Sequence, residues 1–140
     1  MIYVDTSVLV AAVTPEPATE RVQDWLGSQA AGALGISAWV EVEFAAALRF
    51  KVSTRQITEV LMSSALAHFR SELVQTFTTW TIEPTDFAAA AEIAGSRWAK
   101  LKGPDALHLA VAQRLEVPIR TLDQGLARAA KAADHPVVSP

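Results

Sequence analysis

The chain has 140 residues and a mass of 15.0 kDa, room for a single domain spanning 1–140 and little more. It is 51% hydrophobic, with a mean hydropathy of +0.23 and a formal charge of -3. This excludes the low-hydrophobicity, high-charge composition of disordered chains and a protein that coats nucleic acid through bulk positive charge. Cysteine is missing altogether, which removes disulfides, thiolate zinc sites and cysteine nucleophiles from consideration.

From the N-terminus, Met1 runs straight into the β-rich segment Ile2-Tyr3-Val4 and then Asp5, with no basic region and long apolar run of the kind a secretory leader needs. The apolar stretches further on are too short to span a bilayer, so a cytoplasmic protein with no membrane role is expected. Helical periodicity occupies about 17–30, followed by a second strand over 33–36 and helices over about 38–51 and 54–73. A third strand is expected over 78–82, helices over about 85–101 and 104–115, a fourth strand over 117–121, a helix over about 124–133 and a last strand over 136–138. In the 104–115 segment, Leu107, Ala110, Val111 and Leu115 recur at i, i+3, i+4 and i+8. No internal repeat and no Gly/Ser-rich linker interrupts the series. Strands alternating with helices predict an α/β fold: a central, mainly parallel sheet of about five short strands with helices on both faces.

Charge is unevenly spread. Residues 97–131 hold seven bases against three acids, whereas the first fifty hold six acids against two bases. The basic C-terminal part suits phosphate contacts, and it equally suits a solvated helix surface.

In a parallel α/β sheet, ligands bind beyond the carboxyl ends of the strands, so strand-to-helix junctions carry the chemistry. Three junctions bear an aspartate. Asp5 follows the first strand, Asp123 follows Ile119-Arg120-Thr121-Leu122, and Asp105 opens a helix after Gly103-Pro104. Each also fits a helix cap or first-turn residue, where a carboxylate accepts from free N–H groups and meets the positive end of the helix dipole. Asp5 is the hardest to dismiss as a cap, since Thr6 and Ser7 are available for that task and a charge at the end of a central strand needs compensation. Glu43 has Trp39, Val40, Ala46 and Ala47 as its helical neighbours, which places it on a face expected to be buried, while Glu41 falls on the opposite, wet side.

These residues carry a resemblance. The segments Ile2-Tyr3-Val4-Asp5-Thr6-Ser7-Val8-Leu9-Val10, Ile36-Ser37 with Glu43-Phe44 and Ala47-Leu48, Asp105-Ala106-Leu107-His108-Leu109-Ala110 and Thr121-Leu122-Asp123 stand in the order and spacing of a PIN domain. More narrowly, the chain resembles VapC-type ribonuclease toxins of type II toxin–antitoxin systems over nearly its whole length. The resemblance implies a PIN fold, an acidic pocket binding Mg²⁺ or Mn²⁺, and hydrolysis of RNA phosphodiester bonds, with transfer or ribosomal RNA as substrate and translation as the process inhibited. The family's acidic positions fall on Asp5, Glu43, Asp105 and Asp123, with Thr6 and Thr121 as supporting polar residues. Asp5, Asp105 and Asp123 are the implied metal ligands, and Glu43 is the group that orients or deprotonates the attacking water. Homodimerisation and a cognate VapB-like antitoxin, whose C-terminal segment blocks the pocket, are also implied. Apolar material at Val22-Trp25-Leu26 and Val60-Leu61 is the expected antitoxin groove. One departure stands out: Arg120 occupies a strand position where the family more often has an apolar residue, which leaves the burial of that strand open.

Clustered carboxylates repel one another and raise their own pKa values unless a cation neutralises them, and a hard divalent ion with oxygen ligands suits this set. His108 lies three residues after Asp105, near the same helix face, and is read as structural. Trp25, Trp39, Trp80 and Trp98 are read as core or interface anchors in preference to base-stacking residues. Two other designs remain open. A covalent phosphatase or dehalogenase-like enzyme with Asp5 as nucleophile wants an aspartate two residues on, where this chain has Ser7. A non-catalytic binding module would keep the acidic pocket as a structural cation site.

Overall fold

The computed structural model describes residues 1–138 and places a five-stranded, all-parallel sheet at the centre, in the order β3-β2-β1-β4-β5. The strands are β1 (Ile2–Val4), β2 (Leu34–Ser37), β3 (Thr78–Trp80), β4 (Ile119–Arg120) and β5 (Val137–Val138). The first strand is therefore the middle one, paired with β2 through Ile2↔Leu34 and with β4 through Tyr3↔Ile119. This is the α/β architecture expected from the alternating pattern, although β2 to β5 are displaced or shorter than their apolar runs.

Side chains alternate across β1, and each face has its own core. Val4, Leu34 and Ile36 point into one apolar cluster, covered by α1 (Thr6–Val13), α2 (Thr19–Gly27), α3 (Ala38–Ser53) and α4 (Glu59–His68). Tyr3 and Ile119 point into the other, covered by α6 (Pro84–Gly95), α7 (Gly103–Arg114) and α8 (Gln124–Ala132). Between α4 and β3 the chain passes through a π-helical stretch, Phe69–Leu73, and a single turn, α5 (Val74–Thr76). Gly35 makes one close approach possible: a Cβ there would lie 2.4 Å from the Trp80 ring, which instead crosses the strand and stacks on Tyr3 at a centroid distance of 6.0 Å. No helix among the described residues is long and apolar enough to cross a membrane.

Three expectations need correction. Helix α1 is absent from the predicted elements because its sequence, TSVLVAAV, is apolar all round; six of its eight residues are buried, so it shows no wet face to give a period. The expected helix over about 54–73 starts late, since α3 runs on to Ser53, Arg55 takes a positive φ of 60°, and α4 starts only after Thr58, whose hydroxyl accepts from Leu61 N. The helix expected over about 85–101 stops at Gly95.

Arg120 is wholly buried, on the same face of the sheet as the α2 helix. Its guanidinium lies 4.9 Å from the centre of the Trp25 ring and donates one hydrogen bond, from Nη1 to the Val138 carbonyl at 3.2 Å, while Nε and Nη2 have no partner. The strand is buried at the arginine, which takes the place of an apolar residue.

Candidate active site

Asp5 ends β1 and caps α1, so the cap and the functional readings of this residue both hold: its Oδ1 accepts from Ser7 N at 3.1 Å and from Ser7 Oγ at 2.6 Å. Its other oxygen accepts from Thr121 Oγ1 at 2.8 Å. Ser7 Oγ in turn accepts from Leu122 N, and Thr121 Oγ1 from Asp123 N, each at 2.9 Å. The two hydroxyls thus bolt the loop after β4 onto the end of β1. Asp5 is 4% exposed, and burial pushes its carboxyl above the usual range, against the opposing pull of His108 and the Ser7 and Thr121 hydroxyls.

Asp123 caps α8, accepting from Leu126 N at 2.7 Å, and is solvent-exposed. Asp105 lies in the first turn of α7, behind Pro104 and the N-cap Lys102. Its carboxyl is raised by burial first, then by the charge of Asp123, with Glu43 and Asp5 adding to the effect and His108 opposing it. Glu43 comes from α3. Burial pushes its carboxyl up, but hydrogen bonds from His108 and Thr6 and the charge of His108 prevail and hold it below its ordinary value. Thr6 Oγ1 donates to Glu43 Oε2 at 2.7 Å, and His108 Nε2 donates to the same oxygen at 2.5 Å.

All four predicted carboxylates and Thr6 line one open cavity of about 650 Å³, and Thr121 stands behind it as the partner of Asp5. The face around Glu43 differs from expectation in one respect. Trp39, Ala46 and Ala47 form a wall of this cavity; Val40 is buried, Trp39 and Ala47 are half-buried and also pack against the cores, and Ala46 is exposed.

Sequence reasoning passed over Ser7 as a ligand-holding residue, although its place two after Asp5 is the spacing at which a hydroxyl returns to the aspartate. It also left Tyr3 unremarked and read His108 as structural in preference to a proton-transfer role. His108 is 2% exposed and is raised above its ordinary pKa: burial lowers it, but the Glu43 hydrogen bond and the charges of Asp5, Glu43 and Asp105 outweigh burial. No pattern in the sequence announces that Tyr3, 105 residues away, meets it at 2.7 Å. Of the tryptophans, Trp80 stacks on Tyr3, Trp25 lies against Arg120, Trp39 lines the cavity, and Trp98 is 47% exposed. The expected antitoxin groove is also revised. Val22 is fully buried and Trp25 and Leu26 pack against the same core, whereas the cavity between α1, α2 and α4 is lined by residues including Val13, Gln23, Leu61 and Ala65.

Carboxylates steadied by hydroxyl donors, with no sulfur ligand among them, form the donor set of a hard, oxygen-seeking cation, and the mutual elevation of Asp105 by its acidic neighbours is the stress such a cation relieves. Among the described residues no three Asp, Glu or His side chains form a ready-made chelate.

A family model described as "PIN domain" matches residues 2–132. No curated protein matches the chain. Among solved structures, FitAcB from Neisseria gonorrhoeae is similar over 100% of this chain and 98% of its own, with 22% identity and a TM-score of 0.77. VapC20 from Mycobacterium tuberculosis, described as a sarcin-ricin loop cleaving toxin, matches over 100% of both chains with 18% identity and a TM-score of 0.76. VapBC2 from Rickettsia felis, described as bound to a DNA fragment from the promoter, matches over 88% of each chain with 16% identity and a TM-score of 0.57.

Proposed function

The chain belongs to the PIN domain family, and from that premise we propose that it is a Mg²⁺- or Mn²⁺-dependent endoribonuclease. In this reading it is the toxin of a toxin–antitoxin pair, hydrolysing phosphodiester bonds of transfer or ribosomal RNA in the cytoplasm and so inhibiting translation. One observation carries the reading: Asp5, Glu43, Asp105 and Asp123, drawn from four elements, share a single open cavity at the carboxyl end of the sheet. An RNA phosphate would be repelled by those charges taken alone, so the site is built for a phosphate that arrives with a cation.

Asp5, Asp105 and Asp123 are the residues that would hold the ion. When bound, a divalent cation supplies neutralisation of the phosphoryl oxygens and a more acidic attacking water. The chain does the rest. Ser7 and Thr121 fix both oxygens of Asp5, so that ligand costs little ordering when the substrate arrives. Glu43, kept ionised by its two donors, accepts the proton of the attacking water, and the open cavity admits an RNA backbone. Exposed Lys100 and Lys102, just before Asp105, are placed to meet flanking phosphates.

For the antitoxin, the cavity of about 460 Å³ between α1, α2 and α4 offers a mixed lining, with Val13, Leu61 and Ala65 apolar and Thr19, Gln23 and Ser64 polar, for one face of an amphipathic helix. Leu61→Asp in that cavity is expected to weaken antitoxin binding at least tenfold, read by calorimetry, and unchanged affinity would remove it as the docking site. Homodimerisation belongs to the same reading and is checked by sedimentation.

The deciding experiment is cleavage of total RNA by purified, antitoxin-free protein with Mg²⁺ or Mn²⁺, with cut sites mapped. Discrete cuts lost on adding EDTA and in Asp5→Asn are the expected result. Cleavage that survives both, or no cleavage at all, would overturn the catalytic reading and leave a PIN-fold binding module with a structural cation site.

A further inference from the structure

Glu43 sits on a helix at the rim of the cavity, and a glutamate so placed normally samples several rotamers. Here it does not swing freely. Two donors converge on Oε2: Thr6 Oγ1 at 2.7 Å and His108 Nε2 at 2.5 Å. An ionised carboxylate only accepts, so the Nε2 atom carries the proton. Behind the imidazole, Nδ1 meets the Tyr3 hydroxyl at 2.7 Å, and that hydroxyl meets Ser37 Oγ at 2.7 Å. Tyr3 and Ser37 are both wholly buried, and the Tyr3 ring is clamped by its stack on Trp80. A rigid line of side chains therefore runs from β2 through β1 and α7 to the carboxylate on α3.

We propose that His108 and Tyr3 are positioning residues for the reaction, a two-part strut that fixes the rotamer of Glu43 by holding Oε2 and leaves Oε1 as the oxygen presented to the attacking water. The proposal rests on the nuclease reading for its kinetic consequence and on geometry alone for the strut. Packing by itself gives a weaker account of the pair. An apolar residue would fill the space of His108 without a buried hydroxyl on one side and a carboxylate on the other, both of which must be satisfied. Residues that orient an active-site group in this way typically contribute ten- to a hundredfold to activity.

The test combines kinetics with a readout that needs no activity. In cleavage of a defined RNA with Mn²⁺, His108→Leu is expected to lower kcat by about ten- to a hundredfold with KM little changed. His108→Gln, which keeps an N–H near the position of Nε2, is expected to recover most of that loss. Tyr3→Phe, which keeps the ring on Trp80, is expected to give a smaller fall in kcat alone. In parallel, imidazole NMR of the wild-type protein is expected to show a slowly exchanging, downfield His108 Nε2 proton that disappears in Glu43→Ala and shifts in Tyr3→Phe. A folded His108→Leu with unchanged kcat, a loss not relieved by glutamine, or a ring proton indifferent to Glu43 would each overturn the strut. If wild-type protein cleaves no RNA, the nuclease reading fails, while the NMR arm still decides whether the strut exists.

Discussion

Thr121 Oγ1 donates to Asp5 Oδ2 at 2.8 Å, joining two residues 116 positions apart and closing the gap between the ends of β1 and β4. Both groups are buried, so neither finds a replacement in water when the other is lost.

Thr121→Val keeps the shape and removes that donor. The orphaned Asp5 oxygen is expected to cost about 1–3 kcal/mol of stability, and the loosened ligand about ten- to a hundredfold in RNA cleavage. Thr121→Ser, which keeps the hydroxyl, is expected to retain most of both. Thermal melts and initial rates on the same preparations check this, and a valine variant with wild-type activity would contradict it.

The raised carboxyls of Asp5 and Asp105 set a direction for the pH dependence of the cation-free protein. A carboxyl whose folded pKa lies above its unfolded value binds more protons folded than unfolded between the two, so stability falls as pH rises through that window. The raised His108 acts in the same sense, its contribution being lost as pH rises through the folded value. With EDTA present, Tm is therefore expected to rise as pH is lowered through the raised folded values of these groups, until acidification reaches the depressed carboxyls Glu43 and Asp86. Asp105→Asn is expected to flatten the slope, and saturating Mn²⁺ to lift Tm most at neutral pH. Scanning fluorimetry across pH 5 to 8, with and without the ion, reads all three.

Arg120 leaves two of its nitrogens without partners in the core, and burial, followed by the charge of Arg21, depresses its pKa. One bond to Val138 and the Trp25 ring offset only part of that desolvation. Arg120→Met is accordingly expected to stabilise the fold by about 1–3 kcal/mol, or several degrees in Tm. A lower Tm in urea-reversible melts would refute this.

Lys100 and Lys102 are exposed and precede the first turn of α7. If they contact phosphates, the double variant Lys100→Ala, Lys102→Ala should raise KM for RNA with kcat nearly unchanged. The slope of log affinity against log salt should fall by about 1–2. Unchanged affinity at low salt would place the RNA path elsewhere.

How far the sequence spoke for itself varies by element. The parallel sheet was legible because β-rich runs and helical periods alternate, and the four carboxylates because three of them stand at strand-to-helix junctions. Helix α1 was illegible because a segment buried on all sides has no polar face to mark its turns. Glu43 was singled out for its apolar helical neighbours, and the structure makes it half-buried, with Ala46 and Ala47 lining the open cleft as well. Tyr3 escaped notice because its partner His108 lies 105 residues away, whereas Ser7, two residues from the Asp5 that it holds, had a local signal, and only its bond to Leu122 is of long span. Pairings of that span leave no local pattern.

The central place of β1 has a consequence for biosynthesis. Strand β1, made before its neighbours, lies between β2 and β4, and the acidic cavity needs side chains from Asp5 to Asp123. A nascent chain halted before residue 119 lacks one neighbour of β1, the Thr121 anchor and the Asp123 carboxylate, so it has no assembled site. The proposed site therefore assembles only once Asp123 has left the ribosome, and a fragment ending before it lacks that carboxylate. For a protein proposed to attack RNA, strand order thus times its own arming relative to the ribosome that makes it.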